Sequence, residues 1–449
     1  MPGSNLYLFI DKIAKLCLTV YNMKKYLVIQ LARFGDIIQS KRLLLALMQD
    51  GDVTLLVDNS LCSLAQLIYP DADCRGVFSS TSSSQTVWEE NRKIFEALQK
   101  EQFDEIYPLN HSLLCQTITT LFEPEQLRGY FRHNGYARHS NWVRMAFRWL
   151  GSRKKTPINL VDFWGMFAEN PYPAHLVNPK AESKGQGLGI VLAGQNARRS
   201  LPAKYYAKII PVVFSRLQKA QSLHEKKIYL LGTQREQKFA EELLSYLPKQ
   251  FHDFVQNFAG KTSFQDLQEI VSTLSLLLSP DTGTAHLASH LGTPVEGFYL
   301  SSANTFETGP YGEGHCIWQA CLSCSPCGEF ENCPNRTNKE PNCLLTFNDA
   351  HFLYHLLHKE FTEQSLLAKP LQTVIPYHSF FTEKNQVTNF LNWQSPLHLP
   401  QDISRQKDKN ILENYCLATK NFQTDRQLHN IEDNAIYAET DWIFPQELP

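Results

Sequence analysis

The chain is 449 residues long, too long for one ordinary core, so two domains and a tail are expected. It is 43% hydrophobic and 20% charged with a formal net charge of −2, the profile of a soluble globular protein with no global sign of nucleic-acid binding. No apolar run reaches the roughly 18–20 residues of a membrane helix; Leu6–Tyr21 comes nearest and is interrupted by Asp11, Lys12 and Lys15. It also lacks the layout of a secretory signal, so a cytoplasmic location is expected, with residues 1–22 an N-terminal extension and Met23 a candidate start.

From Lys24 onward, strand and helix patterns alternate. Tyr26–Leu31 reads as a buried strand, the turn Arg33-Phe34-Gly35-Asp36 follows, and Ile37–Met48 reads as a helix. Val53–Asp58 is a second strand, Val87–Lys100 a helix and Glu105–Asn110 a later strand. Tyr130–Lys155 then carries seven Arg and Lys residues, two His and no acid, with aromatics interleaved. Its Arg132, Arg138, Arg144 and Arg148 are candidates for contact with a phosphorylated lipid sugar or the inner face of an anionic membrane. A solvated basic helix face is the plainer alternative, and a nucleic-acid site has no supporting motif elsewhere.

The proline- and glycine-bearing run Asn170–Gly187 marks a linker. Beyond it, strands at Gly189–Gly194, Lys227–Gly232, Leu276–Leu278 and Val295–Leu300 alternate with helices near Ala203–Ala220, Glu236–Tyr246 and Ser263–Leu274. After Leu357 the pattern dissolves and no fold is assigned. The expected class is α/β: two facing Rossmann-like domains, 23–175 and 176–360, with a cleft between them and an irregular tail over 361–449.

Turns at the carboxyl ends of strands are where open α/β sheets bind ligands. Asp36, directly after a glycine in such a turn, reads either as a general base for a hydroxyl nucleophile or as the cap of the next helix. Arg199, in a turn with Gln195, offers a fixed cation to a diphosphate just before a helix. Glu236 offers an acceptor for ribose hydroxyls, and Thr262 lies in a further turn. Asp281, Thr282, Gly283, Thr284 and His286 join a strand end to a helix start. Each alone is compatible with ordinary turn chemistry, but all converge on one sheet edge, which favours a bound nucleoside diphosphate.

Five of the eleven cysteines, Cys321, Cys324, Cys327, Cys333 and Cys343, fall in one loop (316–343) as C-x2-C-x2-C-x5-C-x9-C. Structural zinc, iron–sulfur ligation, and a metal-free reduced or locally disulfide-bonded loop all fit that spacing.

Tyr26–Leu47, Gly260–Val295 and Gly309–Gly312 together resemble glycosyltransferase family 9, the ADP-heptose:lipopolysaccharide heptosyltransferases, across roughly Lys24 to His358. The resemblance implies a GT-B fold and inverting, metal-independent transfer of heptose from ADP-heptose to a lipopolysaccharide inner-core sugar. The partners it implies are a nucleotide-sugar donor and a lipid-linked saccharide acceptor at the inner membrane, with no cofactor required. It makes Asp36 the catalytic base. Gln195, Arg199, Glu236, Thr262, Asp281, Thr282, Gly283 and Thr284 become sugar-donor residues, supported by His286. The family usually has a Lys three residues before a Trp-Pro; here the run is Arg199-Ser200-Leu201-Pro202, so an arginine carries the charge. The alternatives are a family 9 enzyme with another nucleotide sugar or acceptor, a non-catalytic nucleotide-sugar-binding protein, and a redox or regulatory protein built on the cysteines.

Overall fold

Lys24–Gln30 (β1) is buried on both faces from Tyr26 onward, as a central strand of a parallel sheet must be. It pairs in parallel with Gly51–Asp58 (β2) on one side and Glu105–Pro108 (β4) on the other, and β2 pairs with Asp73–Val77 (β3). The sheet order is β3-β2-β1-β4, and Tyr130–His133 (β5) pairs with Tyr136–His139 (β6) in a separate antiparallel sheet. Leu27, Ile29, Leu56, Leu98, Ile106 and Phe131 share its core. The structure, a computed structural model, describes residues 23–79, 85–140, 142–143, 153, 158–192, 199–328, 333, 335–337, 340–358, 373–382, 389–396 and 409.

The chain forms two compact units, Met1–Ala32 with Leu44–Val143 and Arg33–Leu43 with Arg144–Pro449. The turn after β1 therefore belongs to the second unit, and its bonds explain why. Phe34–Gln39 (α1) is followed by Lys41–Asp50 (α2). Lys41 Nζ donates to Asn178 Oδ1 at 2.8 Å, and Arg42, fully buried, donates to Asp162 Oδ1 at 2.5 Å. Asp162 also accepts the Leu391 amide at 2.9 Å and the Tyr311 hydroxyl. A buried charge so paired is costly to leave alone, which fixes the segment in place.

In the second unit, Leu188–Val191 (β7), Ile228–Leu231 (β8), Val255–Asn257 (β9), Leu276–Ser279 (β10), Val295–Tyr299 (β11) and Cys316–Ala320 (β12) run parallel in the order β12-β11-β10-β7-β8-β9. Ala203–Lys219 (α3) covers the sheet with Tyr205, Tyr206, Ile210 and Phe214, all fully buried. Val374–Phe380 and Asn392–Gln394 add two antiparallel strands beside β12. Part of the region beyond Leu357, to which the sequence assigns no fold and where an irregular tail is expected, thus extends the second sheet. The first of these strands contains Pro376, which lacks an amide and masks the strand pattern; the outer strand covers only His378–Phe380, so Pro376 blocks no pairing on that side. Among the described residues no helix is long and apolar enough to cross a membrane.

Candidate active site

In the second sheet, β7 leads outward to β8 and β9, whereas β10 leads to β11 and β12. The order reverses between β7 and β10, and loops leaving their carboxyl ends part there to leave a crevice for a ligand. Arg199 comes from the loop after β7. Asp281 and Thr282 come from the loop after β10, ahead of the helix Gly283–His290 (α4). Arg199 Nη1 stands 3.7 Å from Asp281 Oδ2, and Arg199 Nε donates to Ser302 Oγ at 2.8 Å.

Asp281 does not cap α4: Thr282 is the N-cap residue. The Asp281 carboxylate instead accepts the Thr308 hydroxyl at 2.9 Å, with His286 Nε2 3.9 Å from its other oxygen. Burial lowers the His286 pKa against the opposing pull of Asp281, so the ring is neutral near pH 7. Burial also holds the Tyr299 hydroxyl protonated. Thr282 Oγ1 meets Ser279 Oγ at 3.0 Å, while Thr284 is half-buried in the first turn of α4.

Asp36 sits in the first turn of α1 and accepts the Arg33 amide at 3.1 Å. This corrects the capping reading: Arg33 is the N-cap of α1, and Asp36 stands at the third helical position, where one of its oxygens closes a capping box on the Arg33 amide, which leaves the base reading open. Burial raises the Asp36 pKa; Arg33 opposes this and the Asp281 charge adds to it. The helix carrying it packs on α4 through two glycines. A Cβ on Gly35 would stand 2.9 Å from His286 Cδ2, and one on Gly283 would stand 2.5 Å from Phe34 Cδ1. The glycines of the Gly-Asp and Thr-Gly turns are thus a packing requirement. At the far end of α4, Lys41 Nζ lies 2.9 Å from His290 Nδ1; burial lowers the amine to about 8 and the imidazole to about 3. Gly283→Ala is expected to cost about 1–3 kcal/mol by overpacking and to lower activity by shifting Phe34 and Gly35. Thermal denaturation read beside a transfer assay checks both; an unchanged melting temperature with full activity would remove the packing argument.

Of the other expected residues, Glu236 lies just beyond the carboxyl end of β8, but its Oε2 accepts both the amide and the hydroxyl of Thr233 at 2.6 Å. Thr262 is half-buried between β9 and the helix Phe264–Thr273. Gln195, Arg144 and Arg148 lie outside the described residues. Arg132 and Arg138 belong to the first unit, on the hairpin Tyr130–His133 and Tyr136–His139, rather than on a basic helix face. Arg132 Nε donates to the Gly135 carbonyl at 3.2 Å and Arg138 lies over the Tyr136 ring. The rings of His111, Tyr130 and His139 pack against one another at 5.3–5.8 Å between centroids.

Cys324, Cys327, Cys333 and Cys343 line one cavity with Ser301 and Asn342; Cys321 is not among its lining residues. Burial raises the Cys343 thiol to about 11, with the other three thiols nearby adding to the shift. Among the described residues no three His, Cys, Asp or Glu side chains are arranged to hold a metal ion.

Sequence reasoning missed Thr308, Ser302 and Tyr299 around Asp281 and Arg199. Thr308 immediately precedes the Gly309–Gly312 motif, a usable signal; Ser302 has none, because only the turn's path brings it to Arg199.

Residues 179–336, spanning the β7–β10 crevice, match the sequence model of Glycosyltransferase family 9 (heptosyltransferase). This segment is a glycosyltransferase family 9 domain. The chain also shows local likeness to curated relatives. The chain is 35% identical over 92 residues to the lipopolysaccharide core heptosyltransferase OpsX of Haemophilus influenzae, covering 20% of this chain and 26% of that one. It is 25% identical over 72 residues to lipooligosaccharide heptosyltransferase 2 of the same organism, covering 16% and 21%. The matched stretches thus span about a quarter of each relative's length. The family 9 glycosyl transferase structure from Veillonella parvula superposes with a TM-score of 0.50 at 15% identity, over 67% of this chain and 88% of that one. That likeness shows the fold, and two Rossmann-like units in one such chain are a GT-B fold.

Proposed function

We propose that the protein is an inverting glycosyltransferase that moves a heptosyl group from ADP-heptose to a sugar of the lipopolysaccharide inner core. The observation that supports this best is the pairing of Arg199 and Asp281 at the crevice where the sheet order reverses, inside the family 9 segment. In this reading the diphosphate lies against Arg199 and the amides at the start of α4, which stabilise the charge that develops as the sugar departs. Gln195, Glu236 and Thr262 complete the nucleotide contacts. Asp281 and Thr282–Thr284 hold the sugar and diphosphate, and neutral His286 steadies Asp281 without adding a competing charge.

Asp36 takes the acceptor hydroxyl's proton as that oxygen attacks the anomeric carbon opposite the leaving diphosphate; the C–O bond to the diphosphate breaks and the configuration inverts. Arg132, Arg138, Arg144 and Arg148 meet the anionic acceptor or the inner membrane face. Transfer by this route uses no cofactor. A structural zinc or iron at the four-thiol cavity has a donor set of soft sulfurs in its favour, though as placed these side chains do not form a metal-holding group. Elemental analysis of protein purified without chelator is expected to give at least about half an equivalent of zinc or iron if that site is real, and less would remove it.

The experiment for the donor is a thermal-shift screen against ADP-heptose and UDP-, GDP- and dTDP-sugars. A shift with ADP-heptose supports the reading. A shift with a UDP-sugar alone refutes the donor and keeps the fold.

A further inference from the structure

We propose that Arg153 is a positioning residue for the sugar-donor site, acting through Ser301–Thr308, a turn that runs into the short helix Thr305–Thr308. The inference rests on the reading of Arg199 and Asp281 as donor-binding residues. By sequence Arg153 belongs to the basic stretch expected to face an acceptor or a membrane. In the structure its side chain is 16% exposed and pairs with Glu307, which is 2% exposed, at 2.7 Å.

Nearly every polar group of Arg153 is committed to this one turn and its neighbour. Nη2 donates to the Ser302 carbonyl at 2.8 Å and Nη1 to the Cys327 carbonyl at 3.3 Å. Nε reaches Glu307 Oε2 at 3.2 Å, and the Arg153 carbonyl accepts Asn304 Nδ2 at 2.9 Å. The turn needs such support, because Ser301 has φ 57°, the left-handed region that a serine rarely adopts.

Two residues of this turn reach the proposed site. Ser302 Oγ accepts from Arg199 Nε at 2.8 Å, and Thr308 Oγ1 donates to Asp281 Oδ2 at 2.9 Å. Arg153 therefore grips the peptide of the residue that orients Arg199, and through Glu307 it grips the residue next to the one that orients Asp281. The same turn walls the thiol cavity: Ser301 lines it, and the Cys327 amide donates to the Ser301 carbonyl at 2.8 Å. A planar fork suits this role, since one guanidinium binds two carbonyls and a carboxylate at fixed angles.

The test is calorimetric titration with ADP and UDP, followed by kinetics with donor and acceptor varied separately. Arg153→Met is expected to weaken binding of the preferred nucleoside diphosphate about tenfold, to raise the donor KM to match, and to lower kcat as well because Arg199 also stabilises the departing diphosphate, with acceptor KM within about twofold of wild type. Arg153→Lys, which keeps the ion pair but loses the fork, is expected to fall between. Ser302→Ala combined with Arg153→Met should weaken binding less than the product of the two single effects, because both act on one contact. Should Arg153→Met fail to fold by circular dichroism, Arg153→Lys and Glu307→Gln carry the same comparison. Wild-type affinity in the folded variants, a fall in kcat with affinity intact, or an independent double variant would overturn the positioning role while sparing the functional reading. Wild-type protein that binds neither nucleotide would overturn both.

Discussion

Asp36→Asn is expected to slow glycosyl transfer by about 10²–10⁴-fold while leaving nucleoside diphosphate binding unchanged, because a general base acts on the acceptor and contributes in that range. Asparagine keeps the shape and can still accept the Arg33 amide, so the turn survives and only the proton acceptor is lost. Burial raises the Asp36 pKa, so the acid limb of the wild-type rate profile should lie above the ordinary carboxylate value of about 3.9.

The same shift fixes a stability sign. The folded protein holds the Asp36 proton more tightly than the unfolded chain does. The stability this contributes is present in full below the unfolded pKa and is lost as pH rises through the folded one. Asp36→Asn, which never ionises, should therefore melt at or above the wild-type temperature near pH 8 and match it near pH 4. Calorimetry at the two pH values, beside a rate profile, checks both signs. A variant that transfers at near-normal rate removes Asp36 from the base role.

Arg199→Ala carries the second large effect. It removes the cation facing Asp281 and leaves that half-ionic pair without its charge partner; donor binding should weaken and transfer should fall by about 10²–10³-fold, the usual loss for one group stabilising a leaving anion. Arg199→Lys should restore only part, because lysine cannot hold Ser302 and a phosphate with one planar fork. Steady-state kinetics with the donor varied decide the matter. An unchanged donor KM together with an unchanged kcat would place the diphosphate elsewhere.

The strand–helix alternation made both parallel sheets legible, since a strand buried on two faces leaves an unbroken apolar run such as Leu276–Leu278. The turns at the strand ends were legible for the same reason: once the strands are placed, Asp36, Arg199 and Asp281 fall at carboxyl ends. Three features were not. The strand Val374–Phe380 pairs with β12, more than fifty residues earlier in the chain, and no local pattern records such a partner. The glycines at 35 and 283 read as turn residues, whereas their necessity comes from the approach of Phe34 and His286. Arg153 looked like one charge in a basic run, and only the path of a separate turn gives it Glu307, Ser302 and Cys327 as partners.

The central claim is that a nucleotide sugar sits at the Arg199–Asp281 crevice with Asp36 acting only on the acceptor. Titration calorimetry of ADP-heptose into wild type, Asp36→Asn and Arg199→Ala tests it most directly. The account predicts one site per chain with equal affinity in wild type and Asp36→Asn, and binding weakened at least about tenfold in Arg199→Ala. No binding to the wild type, or equal affinity in all three, would contradict it.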